Sequence, residues 1–410
     1  MKIKNFSKVI KYIELPLSKI KKIELMLKPH DGNLFLIGGV VRCLILKNKI
    51  SSPPDLVTDL PIELVVKILK KQKIKISLVG IEYGSIVIHD GKDFFDLTSM
   101  RRDVETFGRK AKVEFSPNLF EDSKRRDFTI NSIYCDTNGN LKDPQNGMKD
   151  LKREKPIVKF IGDTEKRIQE DFLRILRFLR FSIYYSKNFY SKDLKICEKF
   201  KKKLLKLSFE RRINELKKII ILSNFESRFI LKKTKKFLEL SLDCKFDSND
   251  FLALCKLERE INDVSFERRI KYLIRKRKIK KLSFLNHLNK NQKQRIVNKI
   301  NEKNFSLKKV LYLLHEFDKE LVIDHIIFAV TEKKLTKTVF LMLFEEIKNF
   351  KLKEFPINGA DLIKLGFKEG KRIGNVLIET RKWWIKNNYQ PLKKQCINFA
   401  LEFLPTSSRR

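Results

Sequence analysis

The sequence predicts an α+β protein, a mixed-sheet head at the N-terminus followed by a neck, body and tail built only of helices. Three observations carry that reading. Short β-branched runs broken by turn residues fill the first third, helical periodicity takes over from about residue 164, and 410 residues exceed what a single hydrophobic core usually serves. The expected division is a head over 1–150, a neck over 151–220, a body over 221–350 and a tail over 351–410.

The strand runs of the head are 34–37, 77–79, 85–89 and 94–98, with His89, Asp90, Gly91 and Lys92 as the hairpin turn between the last two. Between the first and second runs, 61–71 has helical spacing, with Ile62, Val65, Val66 and Leu69 on one face. Residues 167–184 read as one long periodic helix, and Ser208 as a serine cap for another over 210–221. The stretch 216–350 is lysine-rich, helical and without a fixed-period repeat; Phe355, Pro356, Ile357, Asn358 and Gly359 then punctuate the chain before a last helical unit.

Ninety Lys and Arg against fifty Asp and Glu give a formal charge of +40, while 42% hydrophobic residues are enough for sizeable cores, so the chain is not a disordered polycation. Codon bias toward A and T would also enrich lysine. Even so, such a charge on a folded chain favours a polyanion partner, a nucleic acid first of all. No stretch approaches the roughly 20 apolar residues of a membrane span, and residues 1–13 lack the apolar run and cleavage site of a secretory signal. A cytoplasmic location without membrane contact is expected. Six scattered cysteines and five dispersed histidines offer no zinc spacing, so any metal is expected to be a hard cation on carboxylates.

Five constellations carry chemistry. Ile37, Gly38, Gly39, Val40, Val41 and Arg42 run from a strand through a glycine pair into a helix; such a turn lets backbone N–H groups approach a phosphate, although a Gly-Gly turn alone is more often only a turn. Asp55 and Asp59 follow about sixteen residues later. Asp96 stands between Phe95 and Leu97 in a strand, where a carboxylate must face water or hold a cation. Two strand carboxylates side by side would bind Mg²⁺. Arg125, Arg126 and Asp127 offer planar forks for phosphate oxygens and an acceptor for a ribose hydroxyl. Residues 143–151 form a turn-rich connector, either a capped turn or a hinge. Glu170, Asp171, Arg174 and Arg177 share one expected helix, and Asp171 with Arg174 is either an intrahelical ion pair or a reader of base edges. Cytosine and adenine each present an amino donor beside a ring-nitrogen acceptor, which one carboxylate and one guanidinium can match.

In order and spacing these blocks resemble the class II CCA-adding tRNA nucleotidyltransferases and bacterial poly(A) polymerases, over 34–186 and again over 207–220 and 355–384, the last with an α-proteobacterial-type tail. The resemblance implies a polymerase-β-like nucleotidyltransferase head. It makes Gly38, Gly39 and Arg42 the triphosphate cradle and Asp55 and Asp96 the catalytic metal carboxylates for Mg²⁺. Arg125, Arg126 and Asp127 would hold ribose and phosphates, and residues 143–151 would be a flexible connector. Glu170, Asp171, Arg174 and Arg177 would be the amino-acid template that selects CTP and then ATP for addition to a tRNA 3′ end.

Two departures fall beside that chemistry. Cys43 stands where the family has Asp after the arginine, and Pro53 where it has the first metal carboxylate, with Pro54 next to it. Phe107 before Gly108 is a milder one. Three functions follow from the pattern: CCA addition, intact or weakened by a missing carboxylate; poly(A) synthesis; and a catalytically retired tRNA-binding protein on the same scaffold.

Overall fold

The computed structural model describes residues 1–50, 52–107, 110–222, 225, 227–277, 282–351, 353–367, 370–387 and 389–403. Gly108, and the side chain of Phe107 before it, lie outside that description. The chain forms two compact units, one of residues 1–247 with 281–287, the other of 248–280 with 288–410. The expected head and neck thus share one unit, and the expected boundary at 350 falls inside the other.

Unit 1 opens with helices α1 (Phe6–Ile13) and α2 (Leu17–Leu27), then β1 (Leu34–Ile37), α3 (Gly39–Leu46), β2 (Asp55–Thr58), α4 (Ile62–Lys71), β3 (Lys75–Ser77), β4 (Ser85–Asp90) and β5 (Asp93–Ser99). A separate hairpin of β6 (Arg101–Phe107) and β7 (Lys110–Phe115) precedes α5 (Leu119–Lys124), β8 (Tyr134–Cys135), β9 (Leu141–Lys142) and α6 (Gly147–Leu151). The main sheet has the order β3-β4-β5-β2-β1-β8-β9, and only β2 and β5 run parallel. It is the expected mixed sheet. The strand expected at 77–79 ends at Ser77, because the chain turns at Gly80 with φ +93°.

The two faces of the sheet differ in what covers them. Leu56, Phe95, Leu97, Ile86 and Ile88 are buried and alternate with the other face. That other face carries a small cluster of Phe35, Ile37, Val57, Met100 and Tyr134, with exposed Asp55 and Asp96 beside it in the row of Ile37.

Helices α7 (Thr164–Glu170), α8 (Leu173–Phe181), α9 (Ser191–Phe200), α10 (Phe209–Ile220) and α11 (Arg228–Leu242) complete unit 1. The single helix expected over 167–184 is therefore broken. Asp171 adopts an extended backbone (φ −154°, ψ 108°) and its carboxylate accepts from the Leu173 N–H at 3.1 Å, capping the second segment. Ser208 does sit at the N-cap of α10, but its hydroxyl makes no capping bond.

Unit 2 is helical: α12 (Phe251–Glu260), α13 (Phe266–Leu273), α14 (Lys290–Val297), α15 (Leu307–Glu316), α16 (Lys319–Thr331), α17 (Lys337–Asn349), α18 (Gly359–Lys364), α19 (Lys371–Lys386) and α20 (Lys393–Leu401). Its interior holds a fully buried ionic network. Arg268 Nε donates to Asp324 (2.8 Å) and Arg269 Nε to Glu258 (2.6 Å), with Arg268 Nη1 also on Glu258 at 3.2 Å. A reciprocal capping box between Asn358 and Asp361 starts α18, and Trp384, Leu362, Phe367 and Cys396 share one apolar core.

Candidate active site

Strand register builds the acidic end of the site. Asp55 begins β2 opposite Ile37, the last residue of β1, and on its other side Asp55 lies in register with Asp96 of β5. Neighbouring strands run about 4.8 Å apart, and in-register residues of a parallel pair point to the same face. The two carboxylates are thus side by side. Neither has a hydrogen bond or ion pair among the described residues. Although solvent reaches the Asp55 side chain, protein crowds its carboxyl and pushes its pKa up; the Asp96 charge adds to the rise, while Arg126, Arg42 and Arg177 oppose it. Two like charges without protein donors are what a divalent cation would relieve, so the pair fits Mg²⁺.

Gly38 closes the site from the β1 side. Its φ of +68° favours glycine, and a Cβ there would stand 3.2 Å from Asp55 Oδ2. A side chain would crowd the carboxylate. Gly39 then begins α3. Arg42, one turn on, is buried, with Nη1 donating to Asn131 and Nε to the Tyr185 hydroxyl at 2.7 Å, while its guanidinium lies over Phe181 and Tyr185. Its Nη2 is turned to the glycine pair, 3.9 Å from where a Cβ on Gly39 would stand. One edge of Arg42 is thus anchored and the other faces the expected phosphate turn.

No third carboxylate joins the pair. Among the described residues no group of three or more His, Cys, Asp or Glu could hold a metal. Asp59, a conceivable substitute for the carboxylate missing at Pro53, lies four residues along from Asp55, about 13 Å at strand spacing. It accepts instead from the Asn33 N–H and side-chain amide, both at 2.7 Å. Cys43 turns its thiol to the Lys49 carbonyl (3.5 Å).

The arginine pair is held by a residue that the sequence reading missed. Asp122 is fully buried and accepts from Arg125 Nε (2.7 Å), Arg126 Nη2 (2.9 Å) and the Tyr134 hydroxyl (2.7 Å). Burial alone would favour its neutral form, but Arg126, Arg125 and Tyr134 outweigh that and hold its pKa well below the carboxylate range. The i, i+3 and i, i+4 spacing from Asp122 to Arg125 and Arg126 was the available signal.

Asp127 is committed to protein as well. One carboxylate oxygen accepts from the Phe128 N–H (3.0 Å) and Asn131 Nδ2 (2.7 Å), the other from Nε and Nη2 of Arg177, each at 2.7 Å. Burial opposes ionisation, yet Arg177 and the Asn131 bond win and pull the pKa down to about 2. Four donors fill four lone-pair sites. In this structure the Asp127 carboxylate ties the Arg125–Arg126 segment to α8.

The expected template is rearranged in the same way. Asp171 does not pair with Arg174; it accepts from Arg211 Nη2 of α10 at 2.7 Å, while Arg174 and Arg167 both donate to Glu170. The break at Asp171 explains this, since Asp171 and Arg174 no longer lie on one continuous helix. Arg167 Nη2 also donates to the backbone carbonyls of Arg125 and Arg126, the latter at 2.7 Å. Arg211 and Arg167 were not singled out from the sequence. Arg211 is paired across 40 residues, which leaves no local spacing to find, whereas the i, i+3 spacing of Arg167 to Glu170 was there to read.

The connector over 143–151 forms a capped turn packed against the segment at Thr129. Asp143 accepts from the Gly147 and Met148 N–H groups, both at 2.8 Å, capping α6. A Cβ on Gly147 would stand 2.1 Å from the Thr129 carbonyl oxygen, and Thr129 donates to buried Asp150 (2.9 Å).

The comparisons with known proteins agree with this geometry. Residues 34–156 match the family described as "Poly A polymerase head domain". Among curated proteins, the mitochondrial CCA tRNA nucleotidyltransferase 1 of Danio rerio is 29% identical over 387 residues, covering 90% of this chain and 87% of that protein. Along about nine-tenths of its length the chain is thus similar to CCA tRNA nucleotidyltransferases, and its residues 34–156 match the poly(A) polymerase head family. A second relative, the CCA-adding enzyme of Oceanobacillus iheyensis, is 33% identical over 56% of this chain and 55% of that protein. The crystal structure of the Bacillus stearothermophilus CCA-adding enzyme in complex with CTP superposes with a TM-score of 0.77, covering 95% of this chain and 97% of that one at 20% identity, a likeness of fold.

Proposed function

We propose that this chain adds CCA to tRNA 3′ ends from CTP and ATP, with Asp55 and Asp96 as its metal carboxylates. The observation that carries the reading is the in-register Asp55–Asp96 pair beneath the Gly38 turn, without protein counter-ions and bordered by Arg42, Arg126 and Arg177.

Mg²⁺ held there would supply charge stabilisation for phosphoryl transfer. The chain's own groups do the rest. Backbone N–H groups at Gly38 and Gly39 and the start of α3 cradle the triphosphate, with Arg42 Nη2 beside them. Arg125 and Arg126, fixed by Asp122, lie to hand for phosphate and ribose oxygens. The terminal 3′-hydroxyl of the tRNA gives up its proton to solvent and its oxygen bonds to the α-phosphorus as the bond from that phosphorus to the α–β bridging oxygen breaks, and pyrophosphate leaves.

Asp171, oriented by Arg211, accepts from the exocyclic amino group shared by cytosine and adenine, and Arg174, oriented by Glu170, donates to the adjoining ring acceptor. Uracil presents the opposite pattern and is refused. Arg177 does not read the base; it carries Asp127 and couples α8 to the arginine pair.

The tail residues Gly359, Asp361, Leu362, Gly366, Gly370 and Gly374 support assignment to the α-proteobacterial-type branch. Cysteines without a disulfide among the described residues suit a reducing compartment such as the cytoplasm, and no helix among the described residues is long and apolar enough to cross a membrane.

The test is direct. The protein, Mg²⁺, labelled CTP and ATP, and a tRNA transcript ending at its discriminator base are incubated and the products resolved by length. Addition of C, C and A in steps is expected. A long A tail would instead assign poly(A) synthesis, and tRNA binding without extension a retired scaffold.

A further inference from the structure

Unit 2 contains a cavity of about 900 Å³ that the head chemistry does not use. One wall is a single face of α16: Leu321, His325, Phe328 and Ala329 recur at helical spacing along it. Opposite are Phe305 and the segment 299–303. The Phe305 and His325 rings are 5.3 Å apart, and Phe328 is fixed edge-on against Tyr272 at 5.1 Å. The floor is therefore apolar and aromatic, with rings held in place.

The rim is cationic and short of counter-charge. Lys271 is only 6% exposed, and its ammonium donates to the Arg295 carbonyl at 2.8 Å, using one of three donor positions. Burial, with Arg295 and Lys299 nearby, pushes its pKa down to about 8 against the pull of Asp324. Lys299 and Lys303 line the mouth with no side-chain partner among the described residues. The two acidic groups in the lining are already engaged, Glu302 by Lys309 (2.9 Å) and Glu332 by Lys334 (2.6 Å). A merely solvated lysine face does not explain a lysine buried in a cavity wall.

The exposed Asn301 side-chain amide lines the same space with no hydrogen bond among the described residues and offers a donor and an acceptor together, whereas His325 contributes its ring and keeps Nε2 buried. Inorganic phosphate would leave the rings wet, and an aliphatic anion would leave them unstacked and Asn301 unmatched. A flat, hydrogen-bonding ring joined to an anion satisfies all of them, and the volume lies within the range of small-molecule sites.

We propose that this cavity binds a phosphorylated nucleoside, its base between the Phe305–His325 pair and Phe328 and its phosphate on Lys271, Lys299 and Lys303. The proposal does not depend on the chemistry of the head. The nucleotide is either free or an unstacked one carried by an RNA.

Equilibrium dialysis of labelled AMP against the full chain tests it, with adenosine and inorganic phosphate as separate ligands, and with Lys299→Ala/Lys303→Ala and Asp55→Asn as variants. The lysines are exposed, so their removal leaves the fold intact. AMP is expected to bind at a site that survives Asp55→Asn unchanged, at least tenfold more tightly than adenosine or phosphate, and to bind that site tenfold or more weakly in the double lysine variant. Displacement of AMP by excess tRNA would assign the site to an RNA-borne nucleotide, and its retention to a free one. No AMP binding, equal binding of phosphate, or binding lost in Asp55→Asn but kept in the lysine variant would overturn the proposal.

Discussion

Replacing Asp127 by Asn keeps the shape of a buried group and removes its charge. The folded carboxyl titrates at about 2 against an ordinary 3.8, because Arg177 and Asn131 stabilise the ionised form. At 1.36 kcal/mol per pH unit, that drop makes the charged state worth about 2 kcal/mol more than the neutral one. The amide introduced by Asp127→Asn would also turn an N–H toward the Arg177 fork, so 2 kcal/mol is the lower expectation. Because the folded pKa is depressed, the stabilisation is present above the unfolded value near 4 and fades as pH falls from there toward 2.

Both tryptophans, Trp383 and Trp384, lie in α19 of unit 2, so fluorescence does not watch this interaction. Amide hydrogen exchange in α8 and in residues 128–131 does. Asp127→Asn should exchange about 30-fold faster there at pH 7, the equivalent of about 2 kcal/mol, and the ratio should shrink below about pH 4. Equal exchange at pH 7, or a full-size ratio persisting to pH 3, would refute the assignment of Asp127 as an ionised clamp.

Gly147→Ala places a methyl 2.1 Å from the Thr129 carbonyl oxygen, and overpacking against backbone should cost about 1–3 kcal/mol or more, read as a lower thermal midpoint by circular dichroism. Arg211→Ala leaves the Asp171 carboxylate with only the Leu173 N–H; the preference for CTP over UTP in single-nucleotide incorporation should fall about tenfold. Pro53→Asp adds a carboxylate two residues before Asp55 and should lower the Mg²⁺ concentration for half-maximal rate, whereas an unchanged Mg²⁺ curve would show that the two existing carboxylates suffice. With a formal charge of +40, tRNA affinity should fall steeply and linearly in log–log terms as salt rises.

How legible was this in the sequence? The mixed head, the strand at 34–37, the helix at 62–71 and the hairpin through Gly91 followed from period and turn chemistry, which are local signals. Asp55 and Asp96 could be named as candidate ligands, but only the parallel pairing of β2 with β5 sets them side by side. The helix expected over 167–184 failed at Asp171, where side-chain capping overrode an apolar period that continues on both sides of the break. Asp122, Arg167 and Arg211 went unremarked because each matters through a partner: Asp122 through Tyr134 as well as its helical neighbours, Arg167 through carbonyls 41 and 42 residues away, and Arg211 through Asp171, 40 residues away. Charge pairing across such separations has no period to detect. At Asp127 the neighbouring arginines were legible but the clamp was not, because its partner Arg177 lies 50 residues away.

The central claim is that Asp55 and Asp96 alone support the metal chemistry of nucleotidyl transfer. Single-turnover incorporation of CTP into a tRNA lacking CCA, followed as a function of Mg²⁺ for the unmodified chain and for Asp55→Asn and Asp96→Asn, tests it most directly. The account predicts Mg²⁺-dependent incorporation that falls by about a hundredfold or more in each variant. Incorporation that persists undiminished in either variant, or that is absent from the unmodified chain at saturating Mg²⁺ and CTP, would contradict it.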